Sequence, residues 1–274
     1  MTTRKVLFFT VAAALFAAAG YAQNTKEPNT VRDYCYKAFP GKAEELLALS
    51  HNTMLPLEQA AADAGEFAWK LHAVAVVPAG ESAPCDFRVV AGFHGLFPAL
   101  HSKEKFEAEI KRAGIDTNLD ELHAKANSLG RLMNVEYWVA LDETGTDLQN
   151  GYFVRLNHYK VKLNSGPEWL RLETTFWKPL VDAWNKDGNK GGWGAYRLWM
   201  PDGENQPYNA LTVDLFSDWN SAAHGIPLND LWPKAHPRTD RTEVFDRLES
   251  VRSRYNTEIY KIVDIVKPKN VTSN

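Results

Sequence analysis

The sequence predicts an α+β fold in which one unit is used twice, each copy running strand, helix, strand, strand, helix, strand. Three observations predict it. Pro56, Gly65, Pro78, Gly80 and Pro84 recur as Pro179, Gly188, Pro201, Gly203 and Pro207, each pair about 123 residues apart, and self-similarity at one interval is the mark of a duplicated unit. Val31 to Ala38 and Tyr152 to Lys162 both alternate between two kinds of side chain, the period of a strand with two different faces. The 274 residues are 45% apolar and 12% aromatic, enough to bury one large or two ordinary cores.

The elements follow in order. After the first strand, a helix carrying Pro56 runs to Gly65. Lys70 to Val77 and Cys85 to Phe93 are strands joined by Pro78-Ala79-Gly80, where proline and glycine supply turn geometry. Helices over Ser102 to Ala113 and Leu119 to Leu129 precede a strand from Leu132 to Leu141. Asp142 to Gly151, rich in Asp, Gly, Thr and Asn, reads as a linker. In the second half, Ser165-Gly-Pro-Glu168 has the form of a capping box with proline in the first turn. Trp169, Leu172, Phe176, Leu180 and Ala183 then form one apolar helical stripe that ends at Gly188. Pro179 and Pro56 each predict a kink, because proline removes a helical hydrogen bond. Strands Trp193 to Met200 and Tyr208 to Phe216 meet at Pro201-Asp202-Gly203. An aromatic loop, Trp219 to Pro237, leads to a helix near Thr242 to Tyr255 and a last strand, Glu258 to Val266. The expected organisation is a leader over 1–22, one repeat over 27–142 and a second over 150–268.

This order is the ferredoxin-like arrangement, in which helices cover one face of each four-stranded sheet. Two copies in one chain bury the uncovered faces against each other. Through Trp177-Lys178-Pro179, Gly192-Trp193, Met200-Pro201-Asp202-Gly203 and Pro207-Tyr208, together with the strand order, the chain resembles the dimeric α/β-barrel superfamily over most of residues 27–268. It looks most similar to exported bacterial members with two tandem units and no assigned role. The resemblance implies a pseudo-dimer within one chain, two ferredoxin-like βαββαβ units packed sheet to sheet. Members include cofactor-independent monooxygenases, haem-degrading enzymes, peroxidases and small-ligand proteins. The monooxygenases use Asn, Trp and His groups, but Asn157 and Trp193 correspond to Tyr34 and Lys70 in the other half. No repeated catalytic set emerges, so no catalytic residue and no cofactor are assigned.

Arg4 and Lys5 precede the apolar run Val6 to Ala19, and Gly20-Tyr21-Ala22 supplies small residues for cleavage, the pattern of an export signal. The expected location is periplasmic or secreted. In an oxidising compartment Cys35 and Cys85 are candidates for a disulfide, two buried thiols being the alternative. A net charge of −3 with mixed signs gives no basic stripe for nucleic acid and no surface for an anionic membrane.

With the apolar sides of the strands placed against the helices, the first strands point Arg32, Tyr34 and Tyr36, and Arg155, Asn157 and Tyr159, between the two sheets. His72 and Lys70 face Trp193 and Arg197 there, and Tyr208, Thr212 and Asp214 join them. Guanidinium groups buried there need an acid, a carbonyl or an anionic ligand. The candidate ligand set is therefore Arg155, Asn157, Tyr159, Trp193, Arg197, Asp214, Arg32 and His72. The alternative is that Arg155 simply pairs with Asp214 and the rings fill space. His224, His236, Asp218 and Asp230 match no metal-ligand spacing, and no nucleotide-binding, phosphate-loop, His-Glu-x-x-His or Gly-x-Ser-x-Gly motif occurs. The function expected is the binding of a small aromatic or anionic molecule. A cofactor-independent or haem-linked oxygenase and a structural assembly protein stand as alternatives.

Overall fold

The computed structural model describes residues 30–95, 103–144, 147–203 and 205–269; the expected leader lies outside them. The first half runs β1 (Thr30–Ala38), α1 (Ala43–Leu49), α2 (Leu55–Asp63), β2 (Trp69–Val77), β3 (Phe87–Phe93), α3 (Lys103–Ala113), α4 (Leu119–Leu129) and β4 (Gly130–Glu143). The second runs β5 (Phe153–Val161), α5 (Gly166–Leu172), α6 (Lys178–Lys186), β6 (Gly191–Met200), β7 (Ala210–Phe216), α7 (Trp219–His224), α8 (Leu228–Ala235), α9 (Arg241–Val251) and β8 (Arg252–Val266).

The eight strands close into one antiparallel barrel in the order β1-β3-β2-β8-β5-β7-β6-β4. Each half supplies a ferredoxin-like sheet, β4-β1-β3-β2 or β8-β5-β7-β6. The two seams are β2 with β8, where Leu71 sits opposite Ile265, and β4 with β6, where Val139 sits opposite Arg197. Among the described residues each strand has a neighbour on both sides, so the sheets of the two halves complete each other's edges.

Three local expectations change in the structure. The helices that carry Pro56 and Pro179 meet them with π turns, Ser50–Met54 and Glu173–Trp177, in equivalent places of the two halves. A proline ring collides with the carbonyl four residues back, and widening the preceding turn relieves that collision. Ser165 stands at the N-cap of α5 but its side chain makes no capping bond; Glu168 binds Arg171 and Arg247 instead. The stretch expected to be an aromatic loop folds as α7 and α8. Asp218 starts α7 by accepting from the Ser221 amide, a cap that satisfies an orphan donor.

The largest correction concerns which way the strands face. Val31, Asp33 and Cys35 on β1 and Val154, Leu156 and His158 on β5 point into the barrel, with Leu71, Ala73, Leu211 and Ile262 around them. Arg32, His72, Arg155, Asn157, Tyr159, Trp193, Arg197 and Asp214 belong to the opposite face, Trp193 alone of them also bordering the barrel interior. The physical reason is that both faces are removed from water, so alternation alone does not say which is inner. The narrow interior takes the aliphatic set. Apart from Arg197, which is exposed, the polar set lies under helices that bring carboxylates to it, Glu58 from α2 and Glu173 from the π turn before α6. In the second half this helix layer is a core of Trp169, Leu172, Leu180, Val181 and Trp184, all at most 4% exposed. Inside the barrel Cys35 and Cys85 form a disulfide, their Cα atoms 5.2 Å apart.

Candidate functional site

Between the second sheet and its helices lies a cavity of about 210 Å³. The pleat of β5 sends Arg155, Asn157 and Tyr159 to one face, and β7 and β8 add Thr212, Asp214 and Arg254. The far wall is aromatic, formed by Trp177 and Trp184 with Trp193 from β6 and Phe245 from α9.

The polar floor is ordered by one amide. Asn157 accepts from the Thr257 hydroxyl at 3.0 Å, and its Nδ2 donates to Asp214 at 2.8 Å and to Thr212 at 3.3 Å. Asp214 is the cross-strand partner of Arg155. Burial pushes the Asp214 carboxyl up to about 6, against the pull of Arg155 and the Asn157 hydrogen bond. Arg155 Nε is buried without a hydrogen-bond partner among the described residues. Gly225 crosses above it with φ +77°, and a Cβ there would sit 3.4 Å from Arg155 Nη1. At the other side Tyr159 is held between two arginines: the Arg252 guanidinium lies 3.8 Å from its ring centroid, and Arg254 donates to its hydroxyl at 3.3 Å. Arg252 is paired with the buried Glu173. Two guanidinium groups, Arg155 and Arg254, therefore face the cavity with Asp214 as their one carboxylate not already matched.

Five of the eight sequence-derived residues, Arg155, Asn157, Tyr159, Trp193 and Asp214, share this cavity. The other three lie elsewhere. Arg197 is exposed. Arg32 lies under the first-half helices, where it donates to Tyr34 and rests against the rings of Phe93 and Tyr137. His72, 1% exposed, bridges Ser50 at 2.8 Å and Glu58 at 2.6 Å, and Glu58 also takes Lys70 at 3.1 Å. Sequence reasoning missed Arg254, Trp177 and Trp184 as cavity residues. It also missed Glu173, whose signal is a carboxylate beside a buried helical stripe. His224 and His236 are apart from any metal geometry: among the described residues no three potential ligands converge.

Comparison with protein-family models finds no match, and no curated protein matches either. Solved structures do. A candidate monooxygenase from Lactobacillus acidophilus superposes with a TM-score of 0.50 at 8% identity, covering 88% of this chain and 97% of its own. The encapsulated DyP-type peroxidase from Mycobacterium smegmatis gives 0.50 at 8% identity, covering 88% and 93%. At that identity the likeness speaks for the fold alone. The neighbours and the strand order agree that this chain has the dimeric α/β-barrel fold, with both ferredoxin-like units on one polypeptide.

Proposed function

We propose that the second-half cavity binds a small aromatic molecule with an anionic group, in a protein that works outside the cytoplasm. The observation that carries the reading is Arg155, half-buried at the floor of an aromatic-walled cavity with its buried Nε unpartnered among the described residues. A carboxylate placed there accepts from Arg155 and Arg254, and its ring lies against Trp177 and Trp184. The volume suits one ring, since an apolar cavity of about 150 Å³ admits benzene. Export is supported by the Cys35–Cys85 disulfide, a bond that persists in oxidising compartments. Calorimetry and thermal shift with 4-hydroxybenzoate test the site. Hydrogen bonds to a charged partner contribute about 1.5–3 kcal/mol, so Arg155→Ala weakens binding tenfold or more while Arg197→Ala does not. Equal thermal shifts in wild type and Arg155→Ala would sink the assignment.

A second reading, an oxygenase-type enzyme without a cofactor, is favoured by Asp214, whose carboxyl near 6 is placed to take a proton from a phenolic substrate at neutral pH. The residues do not fit a haem. The axial candidates on the cavity wall are His224, exposed at the rim, and Tyr159, covered by Arg252, and the space takes a single ring.

A further inference from the structure

Inside the barrel is a second cavity, of about 160 Å³, which shares only Gly192, Trp193 and Leu215 with the first. Its sides are aliphatic, with Leu71, Val90, Leu156 and Val213 among them, and Trp69, Trp138 and Tyr260 present rings. Its floor is Asp33 and Arg88. Asp33 is 5% exposed; one of its oxygens holds Arg88, and the other, Oδ1, has no hydrogen-bond partner among the described residues.

The charges around this floor do not balance. Arg88 also binds Glu258 at 3.0 Å, and Tyr260 donates to the same Glu258 oxygen at 2.5 Å. Glu136, 3% exposed, lies in the next layer and is held by Tyr208 and by Trp138 at 3.2 Å, both neutral donors. Two buried carboxylates, Asp33 and Glu258, thus share one guanidinium, and the nearby Glu136 brings no cation of its own. His158, the other basic group in this layer, does not make up the difference: burial first, then Arg88, lowers it to about 4, so it is uncharged at neutral pH. Burial likewise pushes the Asp33 carboxyl up, against the pull of Arg88. A second cation beside Oδ1 would favour the charged carboxylate, and aromatic rings add attraction for a cation.

We propose that the barrel interior is a separate binding site for a small primary amine on an aromatic or branched apolar body, its ammonium on Asp33 and its body against the aliphatic strands. The size fits one ring with a short arm, by the same benzene comparison. An anionic ligand is disfavoured by the excess of carboxylates. The wall ends at Glu143, half-buried at the end of β4, where Tyr196 hydrogen-bonds to it, so a cation entering from this end meets a carboxylate first.

Calorimetry with the isosteric probes benzylamine, benzyl alcohol and benzoate at pH 7.5 tests this. Benzylamine should bind wild type at least tenfold more tightly than benzyl alcohol, and benzoate should bind Arg155→Ala, in which the helix-side cavity is weakened, no better than benzyl alcohol does. Asp33→Asn should remove the preference for the amine, and Val213→Phe, which fills the cavity and keeps the carboxylate, should abolish amine binding. Circular dichroism confirms that each variant is folded. The two sites are told apart by cross-tests: Arg155→Ala, which weakens 4-hydroxybenzoate, should leave benzylamine bound, and Asp33→Asn should keep 4-hydroxybenzoate. Equal affinity for amine and alcohol, a preference that survives Asp33→Asn, or amine binding that survives Val213→Phe overturns the proposal.

Discussion

Replacing Arg88 with methionine removes the guanidinium that ties the two halves together through the barrel interior. Arg88 comes from β3 of the first half and binds Asp33 on β1 and Glu258 on β8 of the second. All three side chains are at most 7% exposed, so water cannot replace the lost partner. Burying Arg88 and its carboxylates is itself costly, and the intact pairs contribute little net stability. Breaking them is another matter. Removing one partner of a buried pair leaves uncompensated charge and destabilises by about 3–5 kcal/mol. For a chain of this size roughly 2–4 °C of melting temperature corresponds to each kcal/mol. Arg88→Met should therefore melt about 6–20 °C below wild type, followed by circular dichroism and tryptophan fluorescence. The companion variant Arg88→Met, Asp33→Asn, Glu258→Gln has no stranded charge and should recover most of the loss. If Arg88→Met melts within about 2 °C of wild type, or if the triple variant is no more stable than the single, the charge account of the interior is wrong.

Two further outcomes follow from the same interior. Cys35 and Cys85 are 50 residues apart in sequence, and the chain-entropy relation for a loop of that length gives about 4 kcal/mol; the double serine variant should lower the denaturant midpoint, and reductant should then have no further effect on it. Glu136 is pushed up to about 7 from 4.5, chiefly by burial and then by Asp33. A raised carboxyl stabilises the fold while protonated, fully below pH 4.5, and that contribution is lost as pH rises to about 7. Glu136→Gln, which is uncharged throughout, should gain on wild type by about 3 kcal/mol between pH 4.5 and 7; parallel stability curves for the two proteins would refute it.

Some features of the fold are legible in sequence because they are enforced locally. Pro56 and Pro179 constrain the backbone wherever they stand, so a helix interruption at both was readable, although the π turn that accommodates them was not. Gly65 and Gly188, at φ +78° and +91°, end their helices through their own conformational freedom. Ser165 shows the limit. Its pattern is that of a capping box, yet the structure spends Glu168 on Arg171 and Arg247, and Arg247 lies on α9, far along the chain. The first residues of β8, Arg252 and Ser253, carry little strand signal, and they extend because Val161 and Lys160 of β5 pair with them.

The amino-acid order determined the succession of strands and helices in each half, and the set of polar residues that alternate with apolar ones, because each depends on neighbours along the chain. Tertiary structure alone decided which side of each strand became the barrel interior. It placed Arg155, Asn157 and Asp214 beneath helices and enclosed Asp33, Arg88 and Glu258 together, although their codons lie far apart. A strand with both faces buried has no solvent side to orient it, so its direction is set only when the eight strands close.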